Sequence, residues 1–275
     1  MRLDRALHAR GLARSRSHAQ ELIAAGAVTV DGTVAVKPAQ PVHEESRLAV
    51  APDAGHYVSR AAHKLIGALD ECARHGLVVE GKRALDAGAS TGGFTQVLLE
   101  RGAAHVLAVD VGHGQLAPSI AAEPRVSVRE GVNVRDLDAS STGAGVDLVV
   151  ADLSFIPLPL VIPALVDFAG PGADHVLMVK PQFEVGRGRL SARGVVTDPA
   201  ARASAVRGVA QAMADAGLTV HRVARSTLPG PQGNVEFFVW GSYLWQARHD
   251  DAHTRPVLEG ETLEGAIARE VKGEA

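Results

Sequence analysis

Four charged side chains stand where short apolar runs end or are interrupted. Asp152 closes "VDLVVAD", Lys180 closes "HVLMVK", Glu236 breaks into "NVEFFVW", and Lys64 lies in "SRAAHKL". Lysine is seldom buried without a partner, and Pro181 directly after Lys180 marks the change from strand to loop. If the runs are parallel strands, Asp152 and Lys180 fall on one sheet edge. An unpaired buried charge is costly, so charges that converge are better explained as partners than as coincidences. The same spacing also suits a purely structural ion-pair cluster. Periodicity alone does not place Lys64 on this edge.

A second group surrounds "LDAGASTGGFT", residues 85–95. Gly88, Gly92 and Gly93 let backbone approach a ligand at a strand-to-helix turn, although a tight turn needs glycine too. Asp110 ends the next run, 24 positions after Asp86, where a carboxylate can accept from two ribose hydroxyls. The two features point to an adenosine-type ligand. They do not separate a dinucleotide from S-adenosylmethionine.

The elements that must carry these residues are legible from residue 80 onward. "RALDAG", "HVLAVD", "VSVREG", "VDLVVADLS", "HVLMVK", "LTVHRVA" and "VEFFVW" alternate with helix-length stretches. Near-continuous apolar strands joined by helices predict an α/β unit with a mostly parallel sheet covered on both faces. Ligands bind such sheets beyond the strand C-termini, near the switch in strand order.

The N-terminal part reads differently. Arg2, Arg5, Arg10, Arg14 and Arg16 face one acid, Asp4, within residues 1–20. "LDRALHARGLA" suggests a short helix, and Ser15 or Ser17 caps a second one that stops at Gly26. Valines alternating around Asp31-Gly32 predict a hairpin with a primed turn. Two arginine-bearing helices followed by a hairpin suggest a module that meets nucleic-acid phosphates, with a solvated basic face as the alternative.

Composition sets the limits. At 275 residues, 46% hydrophobic and 21% charged, the chain is long enough for a sizeable core with a small unit attached. The net charge of −3 does not make the whole protein a polyanion magnet. Cys72 is the single cysteine, so no internal disulfide or cysteine-based zinc site is available, and no metal site is expected from the twelve histidines. A reducing cytoplasm fits, and neither a signal segment nor a membrane span is read. The expected division is a small basic unit at 1–47, a linker at 48–58, an α/β unit at 59–245, and a tail at 246–275 with a short helix around "LEGAIAREV".

Two resemblances sharpen these readings. Residues 1 to about 45 are similar to the small RNA-binding domain named after ribosomal small-subunit protein four. That resemblance implies RNA as the partner, through Arg2, Arg5, Arg14 and Arg16. "SRAAHKL", "LDAGASTGGFT", "VVADLSFI", "VKPQFEVGRG" and "LPGPQGNVEFF" resemble the TlyA family, often labelled hemolysin A. Its members are ribosomal RNA 2′-O-methyltransferases dependent on S-adenosylmethionine, and the catalytic part also resembles FtsJ-type ribose methyltransferases. A Rossmann-like class I methyltransferase fold with seven strands is implied. So is a catalytic tetrad matching Lys64, Asp152, Lys180 and Glu236. The resemblance further implies cofactor contacts from Asp86, Gly88, Ser90, Thr91, Gly92, Gly93 and Phe94, from Asp110 with Val111, and from Asn133. Its implied target is a cytidine in large-subunit RNA, and in some relatives also one in small-subunit RNA.

A ribose 2′-hydroxyl is a poor nucleophile near neutral pH, so an enzyme acting on it must orient the oxygen and help its proton leave. Lys180 is expected to be the hydroxyl's direct partner, as a neutral base or as a charged stabiliser of the forming oxyanion. Arg187, Arg189 and Arg193 in "EVGRGRLSARGVV" are expected to meet RNA phosphates beside it. Ribosomal RNA or ribosomal subunits are thus the expected partners of a monomer. A non-catalytic ribosome-binding factor would not need the tetrad, and a membrane-damaging protein would need an insertion segment that the sequence lacks. A dinucleotide oxidoreductase would need a nicotinamide pocket.

Overall fold

The structure is a computed structural model describing residues 1–24, 26–51, 56–137, 145–230, 232–243 and 255–273. The N-terminal unit begins with α1 (Leu3–Ala9), whose Leu3, Ala6 and Leu7 recur at helical spacing and are buried. In α2 (Arg16–Ala24) the Ser15 hydroxyl accepts from the His18 amide at 3.0 Å, and Gly26 follows in the left-handed conformation. Strands β1 (Val28–Val30) and β2 (Thr33–Val34) form the hairpin. Asp31 and Gly32 both have positive φ, 51° and 82°, as a primed turn requires.

Residues 48–50 correct the linker reading. Leu48–Val50 form β3, antiparallel to β1, so the sheet runs β2-β1-β3. A three-residue strand is too short to show a period of its own, and its pairing partner lies about 20 residues upstream. The far end of that segment is also anchored. His56 and Tyr57 hydrogen-bond the Glu100 carboxylate at 2.7 and 2.9 Å.

The larger unit is a seven-stranded sheet in the order β6-β5-β4-β7-β8-β10-β9. Its strands are β4 (Arg83–Ala87), β5 (His105–Asp110), β6 (Val126–Glu130), β7 (Val146–Ala151), β8 (Ala169–Val179), β9 (Leu218–Arg225) and β10 (Phe237–Tyr243). All seven apolar runs are strands. Only β10 runs antiparallel to its neighbours, β8 and β9. Helices α3 (Ala61–Ala73), α4 (Gly93–Glu100), α5 (Pro118–Ala121), α6 (Ile162–Phe168) and α8 (Pro199–Asp215) connect the strands, and two apolar clusters bury the sheet faces. The order reverses between β4 and β7, which opens the crevice that such sheets offer a ligand.

One further expectation is corrected. Pro181 does not open a loop: Pro181–Glu184 form a single helical turn, α7, with Lys180 as N-cap. Proline suits the first helical position, where its missing N–H would have no intrahelical partner. The short helix expected in the tail is present and packs inward. This helix, α9 (Gly260–Lys272), puts Ile267 and Val271 into the core, and Arg255 reaches the buried Asp174 at 2.6 Å. Residues 246–254 lie outside the described residues.

Candidate active site

The strand ends converge as two ion pairs. Asp152 follows β7, and its amide bonds to the Ala87 carbonyl at 3.0 Å, so it is held beside the end of β4. Its Oδ1 lies 2.5 Å from Lys180 Nζ. That contact is close but not aligned as a hydrogen bond; the aligned bond from Lys180 goes to Ser154 Oγ at 2.9 Å. The second pair is Lys64 with Glu236, at 2.5 Å. Both members are buried, with side-chain exposures of 6% and 1%. Lys64 gets there by helical spacing: Lys64, Ala68 and Cys72 lie four apart along the buried face of α3.

Three adjoining cavities run past these pairs. One of about 390 Å³ is lined by Gly88, Ser90, Asp110, Val111, Asn133 and Asp152, among others. A second, of about 260 Å³, is bounded by Lys180, Glu236, Gln182, Phe183 and Asn234. A small one of about 160 Å³, which reaches Thr91, Gly93 and Phe94, shares Asp152 and Ser154 with the first and Ser154 and Lys180 with the second. The close Asp152–Lys180 contact therefore stands where two larger spaces meet.

Asp110 ends β5 with both carboxylate oxygens facing backbone amides, Oδ2 accepting from Ser90 at 2.8 Å and Oδ1 from Gly112 at 2.7 Å. Each oxygen retains capacity for a further donor. Gly88 has φ 88°, and a Cβ there would lie 2.8 Å from the Asp152 carbonyl oxygen, so the two strand ends can approach only because residue 88 has no side chain. Asn133 caps the following turn by accepting from the Arg135 amide at 3.0 Å.

Two of the expected cofactor residues lie away from the cavity walls. Asp86 is fully buried beneath the loop and accepts from Thr95 Oγ1 at 2.6 Å. Burial pushes its carboxyl up to about 7 despite that bond, with Asp152 adding to the rise. Gly92 makes the left-handed turn into α4, and a Cβ there would meet Leu116 and Ile120 at 3.0 and 3.1 Å.

The family model for FtsJ-like methyltransferases matches residues 57–243, and that for the S4 domain matches residues 1–48. The chain belongs to the FtsJ-like methyltransferase family. It is 55% identical over 240 residues to the 16S/23S rRNA (cytidine-2′-O)-methyltransferase TlyA of Mycobacterium tuberculosis, covering 87% of this chain and 88% of that one. It is 35% identical over 238 residues to Hemolysin A of Brachyspira hyodysenteriae, covering 86% and 98% of the two chains. A solved structure named "Putative hemolysin from Streptococcus thermophilus" superposes with a TM-score of 0.72 at 31% identity, covering 99% of this chain and 96% of that one. Among the described residues, no helix is long and apolar enough to cross a membrane.

Within this FtsJ-like frame, several residues at the site were not singled out by the sequence. Ser154 bonds Lys180, yet one serine after a strand is unremarkable. Phe155 is 90% exposed and has φ 65°, while its ring lies 5.1 Å from that of Phe183. Glu130, on β6, accepts from the Gly114 and Gln115 amides at 2.6 and 2.9 Å and so shapes the loop after β5. "DLSF" could have flagged Phe155, since an aromatic just past a charged strand end seldom serves a core.

The arginines expected to meet RNA divide into two groups. Arg2 and Arg16 bond the fully buried Asp4 at 3.0 and 3.2 Å, and Arg2 above all holds that carboxyl well below the usual carboxylate range. Arg10 donates to the Ser46 and His43 carbonyls. Arg5 and Arg14 are exposed and make no ion pair among the described residues. Arg189 and Arg193 are exposed beyond α7, whereas the side chain of Arg187 lies outside the described residues.

Proposed function

We propose that the protein transfers a methyl group from S-adenosylmethionine to the ribose 2′-hydroxyl of a cytidine in large-subunit ribosomal RNA, with small-subunit RNA as a second substrate. One observation carries the reading. Asp152, Ser154 and Lys180 stand at the junction of the 390 Å³ and 260 Å³ cavities, in a chain that shares 55% identity with an enzyme named for this activity.

The larger cavity suits the cofactor in size and chemistry. Its volume falls within the roughly 300–1,000 Å³ of small-molecule sites. Asp110 offers carboxylate oxygens to ribose hydroxyls, and Val132, Val134, Ile156 and Val161 offer apolar walls to a purine. Bound there, S-adenosylmethionine supplies a methyl group already activated by its sulfonium charge. The chain's own task is then to align the acceptor oxygen. Lys180 holds that oxygen by a hydrogen bond, while Asp152 and Ser154 fix the lysine's position. Glu236 lines the second cavity, and Lys64 behind it neutralises its charge. Phe155 and Phe183 give the target nucleoside an aromatic wall.

In this reading the N-terminal unit anchors RNA phosphates, chiefly through Arg5 and Arg14, and so raises the effective concentration of the target at the second cavity. Arg189 and Arg193 extend that contact beside the reacting edge. The protein works as a monomer in the cytoplasm, where ribosomal subunits are assembled. The test is incubation of unmodified ribosomal subunits with labelled S-adenosylmethionine, followed by mapping of ribose methylation. Label at a cytidine 2′-oxygen is expected. Label on a base, or none on either subunit, overturns the reading.

A further inference from the structure

Phe155 is the non-glycine residue with the most positive φ among the described residues, 65°, and its ring is 90% exposed. A bulky side chain in the left-handed region is costly and persists only where its surroundings over-determine it. The restraints here lie on either side of the residue. On the N-terminal side, Ser154 is bonded by Lys180 at 2.9 Å. On the C-terminal side, the Leu158 amide donates to Glu184 Oε1 at 3.0 Å. Pro157 stiffens the short stretch between.

Glu184 lies on α7, the turn that Lys180 caps, so one rigid piece bears both restraints. It is largely buried and pairs with no cation among the described residues. Burial pushes its carboxyl up to about 7, and the Leu158 amide acts in the opposite direction. Among the described residues its hydrogen-bond partner is the loop backbone, at the Leu158 amide.

We infer that Glu184 is a positioning residue that holds the loop carrying Ser154 and Phe155 against α7, and thereby sets the aromatic wall of the target-nucleoside cavity. The inference rests on the proposed reading for its effect on catalysis but not for its effect on the loop. Removing the side chain frees the Leu158 amide and lets Phe155 relax to an ordinary backbone conformation; Asp110 is untouched, while Ser154, Phe155 and Ile156, which also line the cofactor cavity, can shift.

The experiment compares the full-length parent with Glu184→Ala, Glu184→Gln, Phe155→Ala and the Glu184→Ala/Phe155→Ala double variant. Hydrogen exchange followed by mass spectrometry should show at least tenfold faster exchange across residues 154–158 in Glu184→Ala, and near-parent exchange in Glu184→Gln, whose amide oxygen can still accept. In methylation assays at saturating cofactor Glu184→Ala should lower kcat/KM for RNA about tenfold or more, and glutamine should restore most of it. The double variant should be little worse than Phe155→Ala alone, because both changes remove the same positioned ring. Unchanged exchange in Glu184→Ala, failure of glutamine to restore the loop, or full additivity with Phe155→Ala overturns the inference. A parent that exchanges as expected but methylates no ribose overturns the proposed function and leaves the loop restraint standing.

Discussion

Glu236→Ala separates what the buried ion pair does for the fold from what it does for chemistry. The Glu236 carboxylate lies 2.5 Å from Lys64 Nζ with 1% of its side chain exposed, and Lys64 has no second carboxylate partner among the described residues. The other polar contact recorded for that ammonium is Met178 Sδ at 3.9 Å, too weak to replace an anion. Removing one partner of such a pair strands a desolvated charge and costs about 3–5 kcal/mol. For a unit of this size that lowers Tm by roughly 6–20 °C. Replacing both partners with apolar groups of similar volume, Lys64→Met with Glu236→Leu, should recover most of the loss, since no charge is left stranded. Methyl transfer should remain impaired in the double variant, because Glu236 lines the second cavity. Calorimetric melting of the parent, Glu236→Ala and the double variant reads these shifts directly. A Glu236→Ala variant melting within about 2 °C of the parent would show that the pair is not desolvated as described.

Asp110→Ala removes the acceptor of two backbone amides as well as the proposed ribose contact, so cofactor affinity measured by titration calorimetry should fall about tenfold or more while RNA affinity is kept. Arg5→Ala with Arg14→Ala should weaken RNA binding and flatten its salt dependence, each lost phosphate contact reducing the log-log slope by about 0.7–0.9, whereas Arg2→Ala should act mainly on stability through Asp4. Glu184 gives a pH signature. Its folded pKa is raised from 4.5 to about 7, so the folded chain keeps a proton that the unfolded chain has lost. The stability this contributes is full below about pH 4.5 and fades as pH rises through 7. Parent minus Glu184→Gln stability, from urea titrations at pH 5 and pH 8, should therefore fall by on the order of 1 kcal/mol over that window, the partial exposure of the group being allowed for.

The seven strands were legible because each is a continuous apolar run of ordinary length, and the hairpin because Asp31-Gly32 names its turn chemistry. The strand ends were legible for the same reason: in a parallel sheet, residues closing successive runs share an edge, which brought Asp152 and Lys180 together before any contact was seen. What escaped depends on tertiary context. Leu48–Val50 become a strand only through β1, and α9 is recruited to the core by a face that its charged composition conceals. Lys64 lies on a helical stripe that could have been counted, but no rule of spacing says a buried lysine meets a glutamate 172 residues later. Asp86 shares the loop's sequence motif yet turns inward to Thr95, because motif membership does not fix which way a side chain points. Arg2 and Arg16 carry charge that the sequence offered to RNA, and the fold directs both guanidiniums to Asp4.

The single-turnover rate of methyl transfer in Lys180→Ala, at saturating enzyme and cofactor on unmodified ribosomal subunits, tests the central claim most directly. In the proposed reading Lys180 acts on the reacting oxygen in the transition state and not on ground-state affinity, so the rate should fall at least a hundredfold while cofactor and RNA affinities stay within about twofold of the parent. In the parent, a rate that rises with pH to a plateau is expected of a neutral lysine base, and one insensitive to pH of a charged stabiliser. A Lys180→Ala variant that methylates the cytidine ribose at close to the parent rate would contradict the account and leave Lys180 as a structural strand end.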